Sequence, residues 1–279
     1  MRLEVSHLTT YSYSDPVALG PHTVRLRPRP DGSFLELGYS LLVDPTPALR
    51  SERLDAAGNL VTRLWFEGET RHLRLHSTFV VEVYKPDPFG LVLDSGYRVL
   101  PAVYPPVEEA CLAPYRTSGD VAGVVRDLAD QAAESAAGDP LGFLAILTDR
   151  LYREIRREIR HQGRPQTPAE TLTRGRGACR DQAVLFIAAC RAAGLAARFV
   201  SGYQDRSAMD TPERYLHAWP EVYVPGHGWQ GFDPTRGMPV NGGHVPVAAA
   251  PEPAGAMPVD GSYLGAASSR LSFEVRIPA

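Results

Sequence analysis

The feature that most limits what this chain can fold into is a hydrophobic period that changes twice along 279 residues. Up to about residue 100 the apolar residues alternate with polar ones or gather in β-branched and aromatic runs. Leu35-Glu36-Leu37, His72-Leu73-Arg74-Leu75-His76 and Phe79-Val80-Val81-Glu82-Val83-Tyr84 are the clearest. Turn chemistry separates them at Asp44-Pro45-Thr46-Pro47 and Ala57-Gly58-Asn59. Short strands with no helical period predict an N-terminal β-sandwich-like domain over 1–100. Residues 101–119 carry Pro101, Pro105, Pro106 and Pro114 and read as a linker.

Beyond the linker the spacing becomes helical. Val121, Val124, Val125, Leu128 and Ala132 lie on one face, as do Leu144, Leu147, Leu151 and Ile155, the second set opened by Pro140. Thr167-Pro168-Ala169-Glu170 has capping-box spacing and predicts a third, short helix. Gly175-Arg176-Gly177-Ala178-Cys179 breaks the pattern, and a buried helix follows through Val184, Ile187, Ala188 and Arg191 to Gly194. Strand signals then return over 197–204, 216–224, 228–233 and 271–277, while 238–266, rich in Gly, Pro and Ala, reads as a long loop. The expected organisation is α+β, with a second domain over 120–279.

Composition excludes several function classes. Hydrophobic residues at 44% and charged residues at 22% argue against disorder and coiled coil. A net charge of −3 offers no electrostatic case for nucleic acid or an anionic membrane. The longest apolar stretch, Ala183 to Cys190, has eight residues, far short of the roughly 20 a spanning helix needs. The start, MRLEVSHLTTYSYSDP, shows no secretory pattern, and three cysteines make no disulfide framework. The expectation is a soluble cytoplasmic protein with no nucleic-acid or membrane partner; its oligomeric state is left open.

One set of residues carries chemistry. Cys179 stands where a Gly-rich turn enters a helix, and a thiolate there is stabilised by unpaired N–H groups and the positive end of the helix dipole. Its backbone N–H is a natural oxyanion donor. His217 opens a strand with His217, Trp219, Glu221 and Tyr223 on one face and Ala218, Pro220, Val222 and Val224 on the other. The second face should be core, leaving His217 toward a cleft. A hairpin around Pro225-Gly226-His227-Gly228 would return Asp233 beside His217, where it could orient the imidazole. Thiol, base and orienting acid in that arrangement are what acyl transfer through a thioester requires. Tyr203, Trp219 and Trp229 are expected to line the substrate cleft, and Gln166 is the candidate second oxyanion donor. Cys190, 11 residues after Cys179, lies roughly 16 Å up the same helix, too far for a disulfide, and reads as core. His72 and His76 do not form a metal pair in a strand, and no metal or cofactor is expected.

The stretches Gly175-Arg176-Gly177-Ala178-Cys179-Arg180-Asp181-Gln182-Ala183, Arg198-Phe199-Val200-Ser201-Gly202-Tyr203, His217-Ala218-Trp219-Pro220-Glu221-Val222-Tyr223 and Gly228-Trp229-Gln230-Gly231-Phe232-Asp233-Pro234-Thr235 together resemble the bacterial transglutaminase-like family of cysteine hydrolases. Thr10-Tyr11-Ser12-Tyr13-Ser14-Asp15-Pro16-Val17 and Asp55-Ala56-Ala57-Gly58-Asn59 look like the β-rich region that precedes this catalytic domain in bacterial members. The resemblance implies a papain-like core, with Cys179 as nucleophile, His217 as base and Asp233 as orienting acid, acting on a peptide or protein amide. It departs from the family at Gln182, where an aromatic residue is frequent, and at Pro220, which predicts an edge or bulged strand. The implied activity is a thiol-dependent amide hydrolase. A protein-glutamine transamidase, an arylamine acetyltransferase-like enzyme and a catalytically silent binding module are the alternatives.

Overall fold

The computed structural model describes residues 1–30, 32–84, 99–117, 121, 123–205, 214–240 and 242–277. The N-terminal strands are β1 (Arg2–Val24), β2 (Phe34–Asp44), β3 (Leu49–Leu54), β4 (Leu60–Trp65) and β5 (Glu69–Val83). The expected β-rich region is built as one seven-stranded sheet of order β2-β5-β1-β4-β3, with two later strands added to β1. β1 is 23 residues long and buries Leu3, Val5, His7 and Thr9, the alternate positions of a half-covered strand. Its register shifts between Ser12 and Val17 and again between Leu19 and His22. Such shifts bend a strand, and the sheet curls over Tyr13, Val17, Leu19, Val24, Leu64, Leu73 and Leu75.

The helices are α1 (Pro106–Arg116), α2 (Gly123–Ser135), α3 (Pro140–Glu154), α4 (Pro168–Arg174) and α5 (Cys179–Ala192). α1 occupies most of the stretch expected to be linker; residues 118 and 119 of that stretch lie outside the described residues. Of the prolines that suggested a breaker, Pro105 is the cap residue, Pro106 takes the first helical position and Pro114 lies inside the helix, with Glu108 and Glu109 in the first turn. Asp139 caps α3, its side chain accepting Gly142 N–H at 2.6 Å. The capping box predicted for α4 forms between Thr167 and Glu170.

The second sheet has the order β11-β10-β9-β8-β12. After the short parallel pair β6 (Arg156–Arg157) and β7 (Arg176–Gly177), its strands are β8 (Ala197–Gln204), β9 (His217–Val224), β10 (Gly228–Asp233), β11 (Met238–Pro239) and β12 (His244–Ala250). α5 packs on one face, where Ala183, Phe186, Ile187 and Cys190 join Ala197, Phe199, Ala218, Val222 and Phe232 in one core. The N-terminal sheet covers much of the other face, with Leu3, Val5, Phe79 and Val81 against Tyr203, Val245 and Val247.

Three expectations are corrected here. Residues 238–266 are not a long loop but hold β11, β12 and β13 (Val259–Leu264). The signal of β12 is masked because Pro246 reads as a breaker, yet it sits where the pairing with β8 shifts register, a place that tolerates proline. Pro220 lies in an interior strand, not at an edge; the paired positions with β10 stop at Gly231↔Glu221, one residue short of it. And the unit expected over 120–279 does not keep its own end. β13 and β14 (Ser269–Arg276) pair antiparallel with β1, so the core is bracketed by one sheet.

A side-chain clip also joins the two regions. Asp55 Oδ1 accepts the N–H groups of Ala57 and Asn59, both at 2.9 Å, and shapes the turn. Asn59, fully buried, then donates to Ala249 O at 2.9 Å and accepts Ala249 N–H at 2.8 Å. Its amide takes the place of a neighbouring strand's backbone along β12.

Candidate active site

Cys179 is the first residue of α5 and follows an extended cap residue, Ala178, at φ −72° and ψ 169°. Alanine has no capping side chain, so the other half of a capping box does the work. Asp181, fully buried, turns back and accepts Ala178 N–H on Oδ2 at 2.7 Å. Its Oδ1 accepts Gln166 N–H at 2.8 Å and Arg160 Nη2 at 2.6 Å. One carboxylate thereby fixes the turn before Cys179, the chain before α4 and the strap carrying Arg160. The N–H of Cys179, at the helix start, has no intrahelical acceptor.

β9 and β10 bring the next two residues together. His217 Nε2 lies 2.8 Å from Asp233 Oδ2, with both side chains buried. His217 Nδ1 has no hydrogen-bond partner of ordinary geometry, and the thiol of Cys179 is the neighbour that interacts with the ring. Burial lowers the His217 pKa, but the charge and hydrogen bond of Asp233, with Cys179, outweigh it and raise it to about 10. For Cys179 burial acts upward; His217, the Ala218 N–H and Arg157 more than offset it, so the thiol lies below its ordinary range. Burial likewise raises Asp233, and His217 and His244 hold it well below the usual carboxylate range. The arrangement favours an imidazolium between a carboxylate and a thiolate.

Two residues that the sequence reading did not single out complete the site. His244, at the start of β12, places Nε2 3.1 Å from Asp233 Oδ2, and Gln204, at the end of β8, donates to the same oxygen at 2.9 Å. Thr235 fills Oδ1 through its N–H at 3.0 Å and its hydroxyl at 2.6 Å. Sheet register explains the convergence: β8 lies between the two histidine strands, with Gly202 opposite His217 and Gln204 opposite His244. Gly202 must lack a Cβ, which would overlap Val245 O and the Trp219 ring. Among the described residues, His217, Asp233 and His244 are the group able to hold a metal ion, their ligand atoms lying within 4.8 Å of one another. Both Nε2 atoms are directed at Asp233, so a metal there would replace those hydrogen bonds.

Residues 3–82 match the bacterial transglutaminase-like N-terminal region, and residues 127–234, which include Cys179, His217 and Asp233, match the transglutaminase-like superfamily. The region carrying these residues is a transglutaminase-like core. A candidate cysteine protease from Cytophaga hutchinsonii has the same fold, with a TM-score of 0.73 at 24% identity, covering 99% of this chain and 90% of that one. An uncharacterized protein of Mycobacterium tuberculosis is 29% identical over 291 residues, spanning 99% of this chain and 92% of its own. One from Mycobacterium leprae is 26% identical over 301 residues, spanning 99% and 98%.

This transglutaminase-like fold places the expected cleft residues differently. Tyr203 is wholly buried at the junction with the N-terminal sheet, where its hydroxyl bonds His7 Nδ1 at 2.7 Å. Trp219 is also wholly buried, its ring 6.0 Å from that of His217 and 5.2 Å from that of His244, so it supports the site from beneath. Trp229, half-buried, lies at the far end of the β9–β10 hairpin, with the Arg198 guanidinium 4.0 Å from its ring centre and Tyr115 and Tyr223 beside it. It covers the buried Arg198–Glu221 ion pair. None of the three rings faces Cys179 from an open cleft. The Gln166 side chain is turned to Thr171 Oγ1, 3.1 Å away on α4, leaving its backbone N–H, on Asp181, as its link to the turn before Cys179. Gln182 is fully buried, not part of an exposed pocket wall. Cys190 is buried in the core as expected. Among the described residues, no helix is long and apolar enough to cross a membrane.

Proposed function

We propose that this chain is a thiol-dependent amide hydrolase of the cysteine-protease type, with Cys179 as nucleophile, His217 as acid and base, and Asp233 as the orienting acid. The observation that carries the reading is the Asp233 carboxylate on Nε2 of His217 at 2.8 Å, with Nδ1 unpartnered and the Cys179 thiol interacting with the same ring. The thiolate attacks the carbonyl carbon of a peptide or protein amide, and the developing oxyanion takes the Cys179 N–H. The C–N bond breaks as His217 gives its Nδ1 proton to the departing amine, leaving a thioester. Water then attacks the thioester while His217 takes a proton back, releasing the acid and restoring the thiolate pair. Three free cysteines suit the reducing cytoplasm that the reading assigns it.

Water is present at about 55 M, and among the described residues nothing in the site selects an amine over it. Hydrolysis is therefore the expected outcome over transamidation. The test supplies a cleavable peptide amide with a millimolar primary amine, with and without chelator, and separates products by mass. Acid product that vanishes in Cys179→Ala and survives chelation supports the reading. Mostly amine-linked product, or loss of activity on chelation, overturns it in favour of a transferase or a metal-dependent enzyme.

A further inference from the structure

Arg157 links the elements that carry the proposed nucleophile and the proposed base. On β6 it is paired with Gly177, two residues before Cys179. Its Nη2 donates to the Tyr215 hydroxyl at 3.0 Å, two residues before His217. Its other terminal nitrogen, Nη1, is buried without a hydrogen-bond partner. The carboxylates nearby are engaged by other arginines: Asp181 by Arg160, Glu158 by Arg176, Glu170 by Arg174. Among the described residues Arg157 has no carboxylate in ion-pair range, and its charge acts on the Cys179 thiol. Arg180, next to Cys179 and half-buried, makes no ion pair among the described residues, although the Asp181 charge acts on it, and donates to the carbonyls of Arg160 and Gln162 at 2.5 and 2.7 Å.

A half-buried guanidinium with an unused donor and no carboxylate in ion-pair range is costly to keep. It is also the group best suited to hold a carboxylate by charge-assisted hydrogen bonds. From these placements we infer that Arg157 forms an anion subsite beside Cys179, so that the preferred acyl donors are acidic, with a carboxylate next to the scissile amide. Arg180 adds positive charge to the same side of the nucleophile turn. This inference rests on the reading of Cys179 as nucleophile, and it specifies the class of substrate presented to it.

The experiment compares iodoacetate with iodoacetamide as alkylating agents for Cys179, each rate mapped by mass spectrometry and divided by that of N-acetylcysteinamide in the same buffer. Both reagents react with the thiolate, so a change in thiol pKa cancels from the iodoacetate to iodoacetamide ratio. The expected ratio at Cys179 exceeds that of the free thiol by about 10-fold and shrinks with added salt. Arg157→Gln, with folding checked by circular dichroism, is expected to lower it by about 5-fold or more. Should that variant not fold, Arg157→Lys is expected to lower it by about 2-fold, because the planar fork is lost. A ratio equal to that of the free thiol overturns the inference. So does one that substitution of Arg157 leaves unchanged, which would assign the effect to His217 alone. Alkylation needs no turnover, so this result is separate from whether any amide is hydrolysed.

Discussion

His217 and His244 place their Nε2 atoms 2.8 and 3.1 Å from the same oxygen of Asp233. One carboxylate charge cannot hold two imidazolium ions in a buried site, and the two rings divide accordingly. His217 is raised to about 10, whereas burial lowers His244 and keeps it neutral. His244 is thus a positioning residue, holding Asp233 toward His217 together with Gln204. His244→Ala is expected to reduce kcat/KM on the order of 10-fold, as loss of a supporting hydrogen bond does elsewhere, and to shift the His217 titration seen by NMR. An unchanged His217 titration would reduce His244 to packing.

Asp233→Asn removes the charge that keeps His217 protonated while leaving a side chain of similar size. Turnover is expected to fall on the order of 1,000-fold with the circular dichroism spectrum retained. A variant with full activity would show that the orienting acid lies elsewhere.

The thiols of Cys179 and Cys190 should separate kinetically. Cys179 lies below the ordinary thiol range, whereas burial pushes Cys190 well above it. Iodoacetamide is therefore expected to label Cys179 substantially near pH 6 and Cys190 hardly at all in the folded protein. Equal rates at the two positions would remove the case for an activated thiolate.

The pH dependence of stability has a definite sign on each side. Asp233, depressed in the fold, stabilises it above the unfolded carboxylate pKa, and that contribution is lost as pH falls. His217, raised in the fold, contributes fully below about 6.5, and that contribution is lost as pH rises through about 10. Thermal melting should trace a dome, with kcat/KM falling on the alkaline side as His217 loses its proton. A Tm that stays flat from neutral pH to pH 10 would contradict the raised value.

Asp181→Ala would strip the acceptor from two backbone N–H groups and from Arg160. Leaving buried donors unpaired costs about 1–3 kcal/mol each, so the two backbone groups alone should cost about 2–6 kcal/mol in urea unfolding. Asp181→Asn, which keeps an acceptor, should recover part of it.

What could be read in advance follows from the range of the forces involved. Cys179, His217 and Asp233 were legible because helix starts, strand alternation and a tight hairpin are local, each set by residues within one or two turns of chain. His244 and Gln204 were not, since their meeting depends on the register of β12 against β8, and Pro246 and the alanines of β12 hide that strand. Tyr203 and Trp219 were assigned to a cleft on the assumption that one face of the sheet is open. The N-terminal sheet and β12 cover that face at those positions, a long-range event that alternation in β8 and β9 cannot report.

The pairing of β14 with β1 sets an order of events during synthesis. Ser268 N–H bonds Ser14 Oγ across 254 residues of chain, and Ser6 faces Arg276 in the same ladder. While a ribosome is still making the core, β1 can find β5 within its own region, but the edge awaiting β13 and β14 stays bare. An open strand edge invites pairing with other nascent chains, and closing it across so long a loop is slow. Recombinant yield should therefore depend on how quickly β13 and β14 follow the core, and a nonsense or frameshift change just past Pro258 should give aggregates even with Cys179, His217, Asp233 and His244 all translated.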